Sequence, residues 1–343
     1  MSKGIGGAVE MRNLAGIVFA VVAAIGIAAA QSYPDSVDGH VAAAKAAAGS
    51  EYAAVATRLC TPPAPPAPRN AAAAPRPAGA PSRETWYAKP VKVFDNLYFV
   101  GQSEYSAWAV KTPAGIIIID PIFDYSVEEE IVNGLKALGS DPNDIKYVLV
   151  SHAHYDHVGG ASFLQDRFNA KVIMSEADWQ LLEGTKATWR KPRRELVATD
   201  GQQLTLGGTT LTLTITPGHT LGTISTLIPV LDNGRRHVAA YWGGTAFNWV
   251  ANRTAYITPE RPDSFWFNNY IQSAQRFRTL ARNAGADVIL SNHTAFDGSK
   301  TKLPALETRR PGDPHPYVVG ADSVARYLTV AEECAKAGLL RAK

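Results

Sequence analysis

Two cysteines, three methionines and no dense block of lysine or arginine in 343 residues exclude several classes of protein at once. A disulfide framework needs four or more half-cystines, and a cysteine-ligated zinc module needs them in close pairs. Cys60 and Cys334 lie far apart and satisfy neither pattern. If they pair, the bridge staples an N-terminal arm to a C-terminal helix; if not, they are two small apolar residues, and the sequence leaves both readings open. A net charge of +3 without a basic cluster gives little support for nucleic-acid binding. No repeat at a solenoid period is visible.

What is present is a chain with 46% hydrophobic residues and ordinary charge content, enough for a sizeable core. Lys3 and Arg12 precede the apolar run from Leu14 to Ala30, which ends in Ala28-Ala29-Ala30. That pattern is a signal peptide over residues 1–30, cleaved near Ala30; the alternative is an uncleaved anchor at the short limit for a bilayer span. Either way the expected location is outside the cytoplasm, periplasmic or secreted, where disulfides persist. Residues 31–83 shift to alanine and proline. The stretch up to Cys60 can form a helix, whereas the proline-rich piece after it reads as a linker of low order without chemistry. The folded domain is expected over residues 84–343.

From Glu84 onward, short β-branched runs such as "LYFV", "YSAWAVKT" and "GIIIID" are separated by Gly, Pro and Ser and read as strands. Ser126 and Glu129 form an S-x-x-E pattern that predicts a capped helix through about Leu138. "KYVLVS" reads as a buried strand, "ASFLQDRF" as a helix, "KVIM" as a strand and "EADWQLLEG" as a helix. A second set of strands follows, with a hairpin signal at Gly207-Gly208. A helix near Asn269 to Ala284, the strand "DVILS" and a helix from about Asp322 to Ala337 complete the chain. Two strand-rich halves flanked by helices imply an α+β fold, a four-layer αββα sandwich.

Three of the eight histidines fall in "VSHAHYDHVGG", at the end of a predicted strand. His152 and His154, two apart, point the same way on an extended segment and are placed to hold one metal ion. Asp156 and His157 follow as the chain turns, placed for a second ion, and Gly159-Gly160 permit the tight turn. A catalytic zinc takes three protein ligands and keeps one position open, so each group needs one more ligand. His219 in "TPGHTLG" and His293 in "LSNHTAF", both after predicted strands, are the candidates. His40, His237 and His315 have no partner pattern and read as ordinary polar residues.

"HAHYDH", then "TPGHT", then "SNH", with "IIIID" ahead of them, resembles the metallo-β-lactamase superfamily over about residues 90–300. The resemblance implies that His152, His154 and His219 hold a first Zn²⁺ and that Asp156, His157 and His293 hold a second. Asp120 resembles the family's aspartate that orients a ligand histidine from behind; the plainer reading is a polar strand end. Many members bridge the two metals with an aspartate in a "GD" pair, where this chain reads "YWGGTAF" with Gly244 at that place. A ligating cysteine of another subclass is also missing. The pattern is most similar to the third, exported dizinc subclass, although that subclass carries an Asp-Ser pair where Gly243-Gly244 stands here.

The implied chemistry is metal-assisted hydrolysis. Two zinc ions sharing a water lower its pKa towards about 7, and the resulting hydroxide attacks a carbonyl with Asp156 orienting it as the catalytic carboxylate. The expected function is an exported hydrolase opening a cyclic amide, a β-lactam. Alternatives are a lactone hydrolase of the N-acyl homoserine lactone type on the same site, and a non-catalytic zinc-binding envelope protein. The gap from His219 to His293 is too short for the domain that nuclease members insert, and redox members carry glutamate where His154 stands. Tyr155 and Phe247 are the expected pocket wall, while Trp108 reads as core. A small-molecule substrate is expected, with no nucleic-acid partner and no membrane partner beyond export; the oligomeric state is open.

Overall fold

The computed structural model describes residues 32–62 and 79–343. The expected export signal over residues 1–30, and the linker residues 63–78, lie outside the described residues. Among the described residues, no helix is long and apolar enough to cross a membrane.

Seven strands form the first sheet in chain order: β1 (Val91–Lys92), β2 (Leu97–Phe99), β3 (Trp108–Thr112), β4 (Gly115–Ile119), β5 (Ile145–Leu149), β6 (Lys171–Ser175) and β7 (Leu196–Ala198). The pairs from β1 to β4 are antiparallel and those from β4 to β7 parallel. The second sheet holds β8 (Gln203–Leu206), β9 (Thr209–Ile215), β10 (Ile224–Asp232), β11 (Arg235–Trp242) and β12 (Val288–Ser291), in the order β12-β11-β10-β9-β8. Only its β11–β12 pair is parallel. The β8–β9 hairpin turns at Gly207 and Gly208, whose φ angles of 52° and 80° are the left-handed pair a two-residue hairpin needs.

Period-two alternation puts the two faces of each strand to different uses. Ile117 and Ile119 of β4 pack between the sheets with Leu213, Ile228, Tyr241 and Leu290. Ile116 and Ile118 face the other way, onto Ile131, Leu135, Leu164 and Trp179. Helices therefore cover each outer face, and four layers result. α1 (Val37–Ala48) and α2 (Ala53–Cys60) come first in the chain. The connections of the first sheet carry α3 (Gly134–Ala137), α4 (Tyr155–Val158), α5 (Ala161–Phe168) and α6 (Glu176–Gly184). Between β11 and β12 run α7 (Asn248–Ala251), α8 (Arg253–Tyr256) and α9 (Asp263–Asn283), and after β12 come α10 (Thr294–Asp297), α11 (Ser299–Glu307) and α12 (Ala321–Arg341).

Two expectations change. The capping box does not form: Glu129 pairs with Arg83 and Asn133 instead of reaching back, and the segment Glu128–Asn133 winds as a π-helical turn leading into α3. The domain also does not begin near residue 84, because the compact unit runs from Tyr33 to Lys343. Alanines on α1 let its backbone approach α12, and Val55, Leu59 and Cys60 of α2 join the core that α9 and α12 build over the second sheet. Cys60 and Cys334 form a disulfide that ties α2 to α12.

Candidate metal centre

Every ligand predicted from the sequence sits where a strand ends. His152 and His154 follow β5, His219 follows β9, and His293 follows β12, so the two sheets present their ligands at one shared rim. Asp156 and His157 lie on α4, the single turn that the chain makes after His154. Two groups gather, His152 with His154 and His219, and Asp156 with His157 and His293, the ligand atoms of each lying within 4.8 Å of one another. The Nε2 atoms of His152 and His219 are 3.1 Å apart, and those of His157 and His293 are 3.2 Å apart. Nitrogens this close repel unless a proton or a cation stands between their lone pairs.

Burial, with the neighbouring histidines adding to it, holds His152 and His219 well below the usual imidazole range. Burial likewise pushes His154 down to about 4 and His293 down to about 3. These four rings are neutral donors at neutral pH. His157 is the exception: burial disfavours its charge, but Asp156 and Asp120 on either side outweigh that and push it up to about 10. Burial would raise Asp156, yet the histidines around it hold its carboxyl below the usual range. Four neutral imidazoles, an ionised carboxylate and the His157 ring, which would give up its proton to a bound cation, converge on two points and form a donor set that fits two divalent cations.

The ring orientations are fixed from behind. Asp120 adopts φ 57°, a strained backbone for a non-glycine residue, and is completely buried. Its Oδ2 accepts from Tyr241 Oη at 2.6 Å and Ser151 Oγ at 2.7 Å, while Oδ1 accepts from the Ser151 amide at 2.6 Å. His157 Nδ1 stands 3.0 Å from the same Oδ2, at ion-pair distance but without hydrogen-bond alignment. His152 Nδ1 donates to the Gly243 carbonyl at 3.0 Å, and His219 Nδ1 to the Ala246 carbonyl at 2.7 Å. Both bonds leave Nε2 free to face the partner ring.

Gly243 and Gly244 have no room for a side chain. A Cβ on Gly244 would lie 2.5 Å from His219 Cβ and 2.7 Å from its Cγ, and one on Gly243 would lie 1.9 Å from the Ile224 carbonyl oxygen. The His219 ring occupies the space that a bridging aspartate would need.

The cleft around these ligands has a volume of about 680 Å³. Tyr155 is on its wall, stacked on Trp189 at 5.0 Å between ring centroids and donating its hydroxyl to Asp124. Phe247 does not line it, contrary to the sequence expectation. Its ring is drawn into the apolar cluster of Trp249, Phe267 and Tyr270, with centroids 5.2, 5.6 and 4.9 Å away.

Four residues that sequence reasoning missed complete the surroundings. Asn248 Nδ2 lies 3.2 Å from His219 Nε2 and 3.4 Å from His154 Nδ1. Tyr256 Oη lies 2.7 Å from His154 Nε2, and burial pushes its phenol up to about 12, so it stays a donor. Asp178 is fully buried and binds the two ligand loops together, accepting from the Ala153 amide at 2.9 Å, Thr220 Oγ1 at 2.9 Å and the Gly222 amide at 3.1 Å. Arg58, from α2, reaches the mouth of the cleft. The single-turn helices α7 and α8 carry Asn248 and Tyr256, and neither periodicity nor spacing marks such residues in a sequence.

Residues 100–231 match the model of the metallo-beta-lactamase superfamily. The chain is 28% identical over 153 residues to a hydroxyacylglutathione hydrolase of Acidiphilium cryptum, covering 45% of this chain and 54% of that protein. It is 32% identical over 111 residues to an N-acyl homoserine lactonase of a Bacillus species, covering 31% and 42%. The chain thus spans about half the length of the curated relatives it matches. Among solved structures, a metallo-β-lactamase of Cronobacter sakazakii is 28% identical with a TM-score of 0.60, covering 76% of this chain and 99% of that one. The subclass B3 metallo-β-lactamase of Bradyrhizobium japonicum, 24% identical with a TM-score of 0.59 and covering 71% and 91%, has the same fold. By its ligand motif, its two-sheet sandwich and this match, the stretch over residues 100–231 is similar to a domain of the metallo-β-lactamase superfamily.

Proposed function

We propose that this protein is an exported dizinc hydrolase that opens a cyclic amide, a β-lactam. The observation that carries the reading is the pair of three-ligand groups facing one cleft, with Gly244 closed against His219 where a bridging carboxylate would stand. His152, His154 and His219 would hold one ion, and Asp156, His157 and His293 the other. When bound, two such ions supply Lewis acidity and lower the pKa of a shared water towards about 7. The chain's own groups do the rest. Asp156 is too acidic to act as a strong base, so its role is to accept a hydrogen bond from the attacking water and aim it. Asn248 and Tyr256 are donors on the cleft wall, placed to hold a carbonyl oxygen or a developing amine. Ser151 Oγ, bonded to Asp120 Oδ2 at 2.7 Å and 3.0 Å from His152 Nδ1, is buried behind the ligands and does not line the cleft, so no serine is assigned as a nucleophile. The Cys60–Cys334 bridge supports export, since such bridges persist in oxidising compartments.

A lactone hydrolase is the second reading, favoured by the N-acyl homoserine lactonases at 32% and 27% identity. The test is metal analysis of the purified chain from Gln31, with hydrolysis of a chromogenic cephalosporin measured beside an N-acyl homoserine lactone. Two equivalents of zinc and lactam opening, reduced at least about 100-fold in His152→Ala, are the expected result. Lactone opening alone selects the second reading; native protein without metal overturns both.

A further inference from the structure

We propose that Arg58, delivered to the cleft by the N-terminal arm, binds an anionic group of the substrate and sets the preference for carboxylate-bearing substrates. The inference rests on the hydrolase reading above and names the substrate class for that site. Of the residues lining the cleft, Arg58 alone carries a permanent positive charge. Its Cζ sits 4.9 Å from the centroid of the Phe296 ring, which in turn packs against the His293 ring at 5.8 Å between centroids. That stacking fixes the guanidinium plane beside the ligand cluster while leaving its edge exposed. Among the described residues no carboxylate lies at ion-pair distance from it, in a protein where most surface arginines have one.

The support behind Arg58 is rigid. Val55, Ala56, Leu59 and Cys60 of α2 are buried in the core, Arg341 Nη1 donates to the Cys60 carbonyl at 2.8 Å, and the Cys60–Cys334 bridge follows two residues after Arg58. A guanidinium so held forms charge-assisted, two-pronged hydrogen bonds with a carboxylate at little ordering cost. Gly243 and Gly244 have no room for a side chain, so neither position can offer a polar group to such an anion. Stacking on Phe296 and proximity to the C-terminus of α2 would also suit a merely structural arginine, so the test must separate charge recognition from packing.

The full chain, zinc-loaded, is assayed as wild type, Arg58→Ala and Arg58→Lys on a chromogenic cephalosporin and on the methyl ester of its carboxylate. The expected result is a KM for the acid raised roughly 10- to 100-fold in Arg58→Ala, with kcat nearly constant, partial recovery in Arg58→Lys, and a much smaller change for the ester. Equal losses on acid and ester, or none on the acid, overturn the proposal. Calorimetric titration with phthalate, run on the same three proteins, needs no turnover and so separates this proposal from the lactamase reading. A Kd weakened by a similar factor in Arg58→Ala and regained in Arg58→Lys supports it. Equal affinities, or no binding to the wild type, overturn it.

Discussion

At the scale of single residues, the most informative positions are two that have no side chain. A methyl group on Gly244 would overlap the His219 ring by a distance no small adjustment absorbs, because that ring is held on its far side by the Ala246 carbonyl. Gly244→Ala is therefore expected to keep the fold but displace His219, with loss of one of two zinc equivalents and at least about a 100-fold fall in turnover. Metal analysis beside a thermal melt checks this: unchanged zinc content would show that the loop yields instead. Four of the six residues that gather in the two groups were legible in the sequence because three imidazoles and a carboxylate crowded at a strand end have no inexpensive apolar explanation, whereas His219 and His293 stood out only by their place after predicted strands and by the order of the motifs. Asp178 was not, since a lone aspartate in the first turn of a helix is indistinguishable from one that answers the helix dipole. Phe247 was misjudged because an aromatic residue near a ligand loop carries no mark of which way it turns.

Individual elements show where local rules give way to packing. The Ser126–Glu129 pattern predicted a capped helix, but Glu129 is taken by Arg83 and the next residue, Glu130, is buried. Burial pushes the Glu130 carboxyl up to about 8; its Oε1 accepts from the Ala88 amide at 2.9 Å, and its Oε2 has no partner among the described residues. A folded pKa above the unfolded value means the contribution to stability is complete below about pH 4.5 and is lost as pH rises through about 8. Glu130→Gln mimics the neutral form and removes that loss. It is expected to match the wild type near pH 4.5 and to exceed it by on the order of 3–5 kcal/mol above pH 8. Urea unfolding at the two pH values checks the sign, and a difference that grows towards acid would contradict it. The strands and outer helices of the sheets were readable because their periodicities are strong. Helices α7 and α8 were not, being single turns that only their neighbours stabilise.

At the scale of the whole molecule, neither sheet holds a complete candidate metal group: β5 and its turn supply four of the six residues and the second sheet supplies His219 and His293. The sandwich was legible from the order of strands and helices, whereas the docking of the arm was not, because alanine-rich helices advertise helicity without advertising a partner. The bridge from Cys60 to Cys334 closes a loop across 274 positions, worth about 5 kcal/mol if the unfolded chain is the main thing it restrains. Replacing both cysteines by serine is expected to lower the melting temperature and, by loosening α2, to raise KM for the carboxylate-bearing substrate in the direction of Arg58→Ala. A variant with lower stability but unchanged KM would mean that packing alone holds the arm. The same bridge also orders events in time. Residue 60 emerges from the ribosome long before residue 334, so the helix that carries Arg58 has to wait, undocked, until nearly the last segment has been made. A shortened message or a clipped C-terminal helix would then remove at one stroke the arm's anchor and much of the apolar cover of the second sheet.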